Sequence, residues 1–162
     1  MDIWTEKLVR RHLPILERWL DRSAGEITPN DLPSDAHELE SWFDMCAAEP
    51  ERLDCLTLIY ETPVGVAGLR RRHGQKDTLE LYLLLGEVGY NLHRTAAYAT
   101  LRMLDRAFLD ADVKQVTARV SFSHAWFLDV LAKMGFYVVG TEDGMTALTV
   151  NKNGFLSSKY LF

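Results

Sequence analysis

The chain has 162 residues, 48% of them hydrophobic and 25% charged, with a formal net charge of −5. These are the values of one globular domain large enough to bury a real core, and the acidic balance argues against a nucleic-acid protein, which needs a basic excess to neutralise phosphates. Cys46 and Cys55 stand nine apart with no metal-ligand spacing to His or Cys, so the reading is free thiols in a reducing compartment and no metal. No N-terminal apolar run resembles a signal peptide. No stretch approaches the roughly 20 apolar residues of a membrane span. A cytoplasmic protein with no membrane partner is the expectation.

Ile3 to Leu8 suits a first strand. Val9, Leu13, Leu16 and Leu20 then share one helical face, and Pro14, tolerable only in a first turn, starts that helix near His12 or Leu13. Ser23 to Pro33 reads as loop. Asp35 and Glu38 cap a second helix with Leu39, Trp42, Phe43 and Cys46 on one face, ending before Pro50. From Asp54 the period changes to two. Three strands follow, with turns expected at Thr62 to Gly65 and His73 to Asp77, and the last strand covers Thr78 to Leu85.

A loop then leads into a long helix, with Ala97, Leu101, Leu104 and Phe108 expected on its buried face. Gln115 to Val120 is a further strand, with Val116, Ala118 and Val120 inward. Ser123 is placed to cap a helix burying Phe127, Leu131 and Met134, which Gly135 ends in the left-handed region. Asp143-Gly144 is a strong hairpin signal between the last two strands. By their spacing, Trp4, Trp19, Trp42 and Trp126 read mostly as core. The unit from about residue 79 to 120 needs a parallel crossover, while the strands before it form an antiparallel meander. The expected fold is α/β, a mixed and mostly antiparallel sheet with helices on both faces.

The strand, loop and helix between Leu79 and Phe108 carry the functional signal. A strand feeding a helix through a loop aims backbone N–H groups at one point, where the helix dipole adds favour for an anion such as phosphate. His93 and Arg94 open that helix as the best anion contacts. Arg70-Arg71-Arg72-His73 is the one basic run, and strand alternation lets at most two of its side chains share a face.

Gly86-Glu87, Tyr98-Ala99-Thr100 and Lys133-Met134-Gly135-Phe136, together with the element order, resemble the GNAT superfamily of acyl-coenzyme A N-acyltransferases. The likeness runs from Ile3 to Val150 and is closest to the branch that acetylates ribosomal proteins, polyamines and amino sugars. It implies a cofactor, acetyl-coenzyme A or another acyl-coenzyme A, and a primary amine of a small molecule or protein as acceptor. Carried over by position, the cofactor contacts are Leu85, Gly86 and Val88 at the strand end, His93, Arg94, Thr95, Ala96, Ala97 and Tyr98 in the loop, and His124 and Phe127 beyond.

Direct attack by the amine needs a base, and Glu87 and Glu80 are the candidates. Two positions depart from the family pattern. Aligned on Tyr98-Ala99-Thr100, the phosphate loop covers Arg94 to Ala99 and has Ala97 where the family has Gly; aligned without gaps, it falls on Asn91 to Ala96. Leu131 stands where many members carry a Tyr general acid, and His124 where they often carry Asn. The implied function is acyl transfer. The other reading is a non-catalytic acyl-coenzyme A-binding or protein-interaction module on the same fold. The apolar tail from Phe155 to Phe162 is expected to dock on the body or on a second subunit, which leaves a homodimer open.

Overall fold

The computed structural model of the chain describes residues 3–21, 25–26, 33, 36–71, 75–86 and 92–159. Strand β1 (Ile3–Lys7) is followed by helix α1 (Leu13–Asp21), a two-residue strand β2 (Gly25–Glu26) and helix α2 (Leu39–Ala47). Strands β3 (Leu53–Ile59), β4 (Thr62–Arg71) and β5 (Thr78–Leu85) form the meander. Helix α3 (Leu92–Asp105) leads through a π-turn at Arg106–Asp110 to β6 (Gln115–Ser121). Helix α4 (Trp126–Lys133), strands β7 (Tyr137–Glu142) and β8 (Met145–Asn151), and helix α5 (Lys152–Lys159) complete the chain.

The strands form one sheet in the order β1-β3-β4-β5-β6-β8-β7, with β2 attached to β5. Every pairing is antiparallel except β5 with β6, the two strands joined through α3. Both faces are covered as the alternation of the strands requires. Leu79, Leu81, Leu83 and Leu85 of β5 and Val116, Ala118 and Val120 of β6 pack with Ala96, Ala99 and Met103 of α3, Phe127 and Leu131 of α4, and Phe155 of α5. Tyr82 and Leu84, of opposite parity on β5, pack with Leu16 and Trp19 of α1 and Trp42 of α2.

The structure corrects several sequence expectations. The β3–β4 turn is at Tyr60 and Glu61, with Tyr60 at φ 55°, and Thr62 to Gly65 belong to β4. Pro63 is accommodated in a strand because the β3–β4 register shifts between Thr57 and Leu58, and strand prolines are found at such irregularities. Gly65 serves close strand contact, since a Cβ there would sit 2.3 Å from the Leu84 carbonyl oxygen.

The buried stripe of α3 is Thr95, Ala96, Ala99, Thr100, Met103 and Leu104; Ala97 and Leu101 lie at its margin. Small residues fill the stripe where the helix crosses the sheet. Ser121, rather than Ser123, caps the turn before α4 by accepting from the Ser123 N–H. The start of the tail is a helix, and Phe155 is fully buried and stacked on Phe108 at 5.6 Å. Tyr160, Leu161 and Phe162 lie outside the described residues. The left-handed Gly135 (φ 97°) and the Asp143-Gly144 hairpin (φ 51° and 76°) are as expected. No helix among the described residues is long and apolar enough to cross a membrane.

Candidate functional site

The parallel pairing of β5 and β6 covers three residue pairs, Thr78 with Gln115, Leu79 with Val116 and Glu80 with Thr117. Beyond them β5 continues to Leu85 and β6 to Ser121 without pairing to each other, so the sheet opens into a wedge. β4 pairs with β5 through Leu85 on one edge. β2 meets Leu84 and Leu85 on the other, at the wide end of the wedge. Where the β5–β6 ladder stops, β2 takes up the β5 edge at Leu84 and Leu85, and the edge of β6 past Thr117 is not paired with β5.

The wide end is bounded by the starts of two helices. Helix α3 begins at Leu92, and its first turn holds the amides that an α-helix leaves outside its own ladder. His93 in that turn stacks on Trp126, the first residue of α4, with ring centroids 4.7 Å apart and planes 5° from parallel. His124 is half-buried just ahead of α4, its Nδ1 3.4 Å from Ser123 Oγ. The dipole and amides of α3 favour an anion at this end.

The closed end is polar and charged. Glu80 is 1% exposed. Its Oε1 accepts from Arg70 Nε at 2.9 Å and Nη2 at 2.6 Å, and its Oε2 accepts from Arg119 Nε at 3.0 Å. Thr117 has a buried Oγ1 with no partner among the described residues. Two residues along β5, the Tyr82 hydroxyl donates to Asp54 of β3, which also accepts from Arg52 Nε at 3.0 Å. Burial, and then the Asp54 charge, push the Tyr82 hydroxyl well above its usual range and keep it a neutral donor. A cavity of about 440 Å³ lies at the N-terminal end of β5, lined by Arg71, Asp77, Leu79, Arg106 and Asp110 among others. Its charges pair with one another or their neighbours: Arg71 with Glu51, Arg106 with Asp110, and Asp77 with Lys114.

The sequence matches the model of the acetyltransferase (GNAT) domain over residues 6–137. The chain belongs to the GNAT acetyltransferase family. No curated protein matches the sequence. Among solved structures, the GNAT chain is similar to a chimera of the spermidine N-acetyltransferase SpeG from Vibrio cholerae and hSSAT, with a TM-score of 0.76, 13% identity, and 97% of this chain and 99% of that one covered. It is similar to mutant forms of the spermidine/spermine N-acetyltransferase SpeG from Vibrio cholerae, with a TM-score of 0.77, 13% identity, and coverage of 97% and 98%. An acetyltransferase candidate from T. thermophilus shares 18% identity at a TM-score of 0.73, with coverage of 99% and 92%. At these identities the likeness establishes the GNAT fold.

Within this GNAT frame the sequence-derived site residues separate into groups. Glu87 and Val88 lie outside the described residues. Leu85 and Gly86 are buried at the end of β5. Gly86 is pressed against Trp19, where a Cβ would come within 2.1 Å of the indole. His93 and Arg94 are exposed on the first turn of α3, and His124 is half-buried at the start of the α4 segment.

The expectation that Arg94 to Ala99 form the phosphate loop is corrected. The helix already runs from Leu92, so Arg94 to Ala99 are helical. Thr95 and Ala96 point into the core at 2% and 0% exposure, and Ala97 packs at the core margin. Tyr98 packs against Ile3, Ile59 and Val64. Phe127 is fully buried core and not a rim residue. Glu80, the other candidate base, has both its oxygens engaged by guanidiniums in a buried cluster.

Sequence reasoning misses Arg119, Thr117 and the rim position of Trp126, which its spacing assigns to the core. Arg119 has a signal, as the one charged residue of β6, on the parity opposite Val116, Ala118 and Val120. The surroundings of Thr117 and Trp126 come from other elements and leave no local trace. Of the basic run, Arg70 turns inward to Glu80 and Arg71 outward to Glu51, as alternation requires. Arg72 and His73 lie outside the described residues.

Proposed function

We propose that this protein transfers an acyl group from acyl-coenzyme A to a primary amine by direct attack. The observation that carries the reading is the wedge between β5 and β6, which opens past Glu80 and Thr117 and meets the first turn of α3 at its wide end. The cofactor would supply the activated acyl thioester. The edge of β6 past Thr117 suits its amide-bearing arm. The first turn of α3, with His93 and Arg94, suits the pyrophosphate, and His93 is braced there by Trp126. The buried, inward-turned side chains of Thr95 and Ala96 support the same fit.

An amine attacks only as the neutral base. Glu87 is assigned to take its proton, since Glu80 is held by Arg70 and Arg119. Leu131 is fully buried in the core, so that position supplies no acid to the leaving sulfur. A thiolate of pKa near 8.5 leaves without one. A polyamine acceptor, named in the descriptions of the similar structures, is one member of the amine class this reading covers. A module that binds acyl-coenzyme A without turnover is the second reading, and the side chain at Leu131 is the observation in its favour.

The test is thermal unfolding with and without millimolar acetyl-coenzyme A, repeated on Arg94→Ala. Ligand at 100 times its dissociation constant adds about 2.7 kcal/mol, several degrees for a domain of this size. A rise that shrinks in Arg94→Ala is expected. No rise in the wild-type protein rejects the cofactor site. A rise without coenzyme A release from acetyl-coenzyme A in the presence of any amine favours the binding module.

A further inference from the structure

Helix α1 and the start of β4 form a groove beside the wide end of the wedge, and its lining bears on the acceptor. This inference rests on the acyltransferase reading above. The groove has a volume of about 350 Å³ and is lined by Arg11, His12, Pro14, Ile15, Arg18 and Pro63. Pro63 is the second residue of β4. The next residue, Val64, accepts the Gly86 N–H at 2.8 Å, and Trp19 of α1 lies against Gly86. Both walls of the groove therefore meet the chain at the end of β5. Helix α1 packs on the Tyr82 and Leu84 face of the sheet, and α3 on the Leu83 and Leu85 face. An acceptor held in the groove approaches from the side opposite the anion-favouring turn of α3.

The lining has charge of one sign. Among the described residues no carboxylate lines the groove. Arg11 and Arg18 are exposed, and neither has an ion pair or a side-chain hydrogen bond among the described residues. Arg10, the neighbour of Arg11, is by contrast paired with Glu40 and Asp44. His12 uses both ring nitrogens within the chain: Nδ1 accepts from the Val9 N–H at 3.1 Å, and Nε2 lies 3.3 Å from Glu6. Arg11 and Arg18 are separated by about 10 Å along the helix axis. Half-buried Ile15 lies between them, with Pro14 and Pro63 alongside.

An extended peptide covers that separation in about three residues. Its carboxylates would meet the two guanidiniums, and an apolar side chain between them would meet Ile15. A nucleic-acid strand carries a phosphate at every step and no apolar side chain, and a polyamine carries only cations. Neither matches the lining.

We propose that the groove docks an acidic peptide segment, and that the amine acylated in the wedge is carried on that peptide. Arg11 and Arg18 are specificity residues here and touch neither the cofactor nor the reacting atoms.

Two measurements on the full chain test this. The first is fluorescence anisotropy of a dye-labelled peptide in which four glutamates alternate with leucines, compared with the same peptide carrying glutamine or lysine in their place. The glutamate peptide is expected to bind most tightly. Its Kd should rise about threefold in Arg11→Ala or Arg18→Ala and about tenfold in the double variant. Both side chains are exposed, and an unchanged melting temperature shows that each variant is folded. Arg11→Glu combined with Arg18→Glu is expected to invert the order and prefer the lysine peptide. The second measurement is coenzyme A release from acetyl-coenzyme A with the unlabelled glutamate and glutamine peptides, each with a free N-terminal amine. The glutamate peptide is expected to be the better acceptor, and the alanine variants should raise its KM more than they lower kcat.

The proposal is overturned if the three peptides bind alike, or if the charge-reversed variant keeps the glutamate preference. It is overturned if an RNA oligonucleotide of equal charge binds more tightly than the glutamate peptide. It is also overturned if the glutamate peptide is acylated no better than the glutamine peptide or than 1,4-diaminobutane. Absence of any stabilisation by acetyl-coenzyme A is a different result: it rejects the acyltransferase reading, and the anisotropy series still decides whether the groove docks an acidic peptide.

Discussion

Cys55 is a thiol used as a small hydrophobe. It is 3% exposed in the core between the sheet and α3. Burial raises its pKa from 9.0 to about 11, with the Arg106 charge opposing. The sign follows from proton counting: between those two values the unfolded chain has lost the thiol proton and the native chain keeps it. Stability from this group is complete below pH 9.0 and is lost as pH rises toward about 11, at about 1 kcal/mol per pH unit. Denaturant unfolding of wild type and Cys55→Val at pH 8 and pH 10.5 checks this; the alkaline loss should be smaller in the variant. Glu80 gives the contrasting lesson at the same scale. Alternation places it on a strand, but only the cross-strand neighbour Arg70 and the crossover neighbour Arg119 turn a candidate base into a buried anchor.

Among the elements, β5 and α3 are positioned by close packing. Gly86 ends β5, donates its N–H to Val64 O at 2.8 Å, and lies flat against the fully buried Trp19 of α1. A methyl group there has no space, so Gly86→Ala is expected to cost about 1–3 kcal/mol by overpacking. Gly140, on the exposed strand β7, would give an added Cβ no neighbour within 4 Å. Gly140→Ala is the control, and the two melting temperatures make the comparison. Helix α3 is legible as a helix from its periodicity, but periodicity sets its stripe off by about one residue. Leu101 looks like core, yet Ala96, Ala99 and Met103 are what let the helix lie close on the sheet. The motif register starts the helix too late, because the motif and not the chain's own helix signals fixes that register.

At the scale of the whole molecule, two half-sheets meet along a short seam. Three residue pairs join β5 to β6, and Glu80 adds a clamp across β4, β5 and β6 through its two guanidiniums. Removing the carboxylate charge leaves two partly exposed cations facing each other across a buried, neutral side chain. Glu80→Gln is therefore expected to destabilise the fold by about 3 kcal/mol, with a clear fall in the urea midpoint. A catalytic base would instead leave the midpoint in place and abolish turnover.

The sequence by itself determined the element order, the one parallel crossover, the mixed sheet with helices on both faces and the family resemblance. These follow from local periodicity, turn residues and short motifs, which are properties of neighbouring positions. The tertiary structure decided where the wedge opens, which helix turn bounds it, and which charges share its closed end. It also joined β2 to β5 and docked α5 through Phe155 on Phe108. Each of those contacts joins residues far apart in the chain, and their identity depends on strand register and helix packing, which no local pattern encodes.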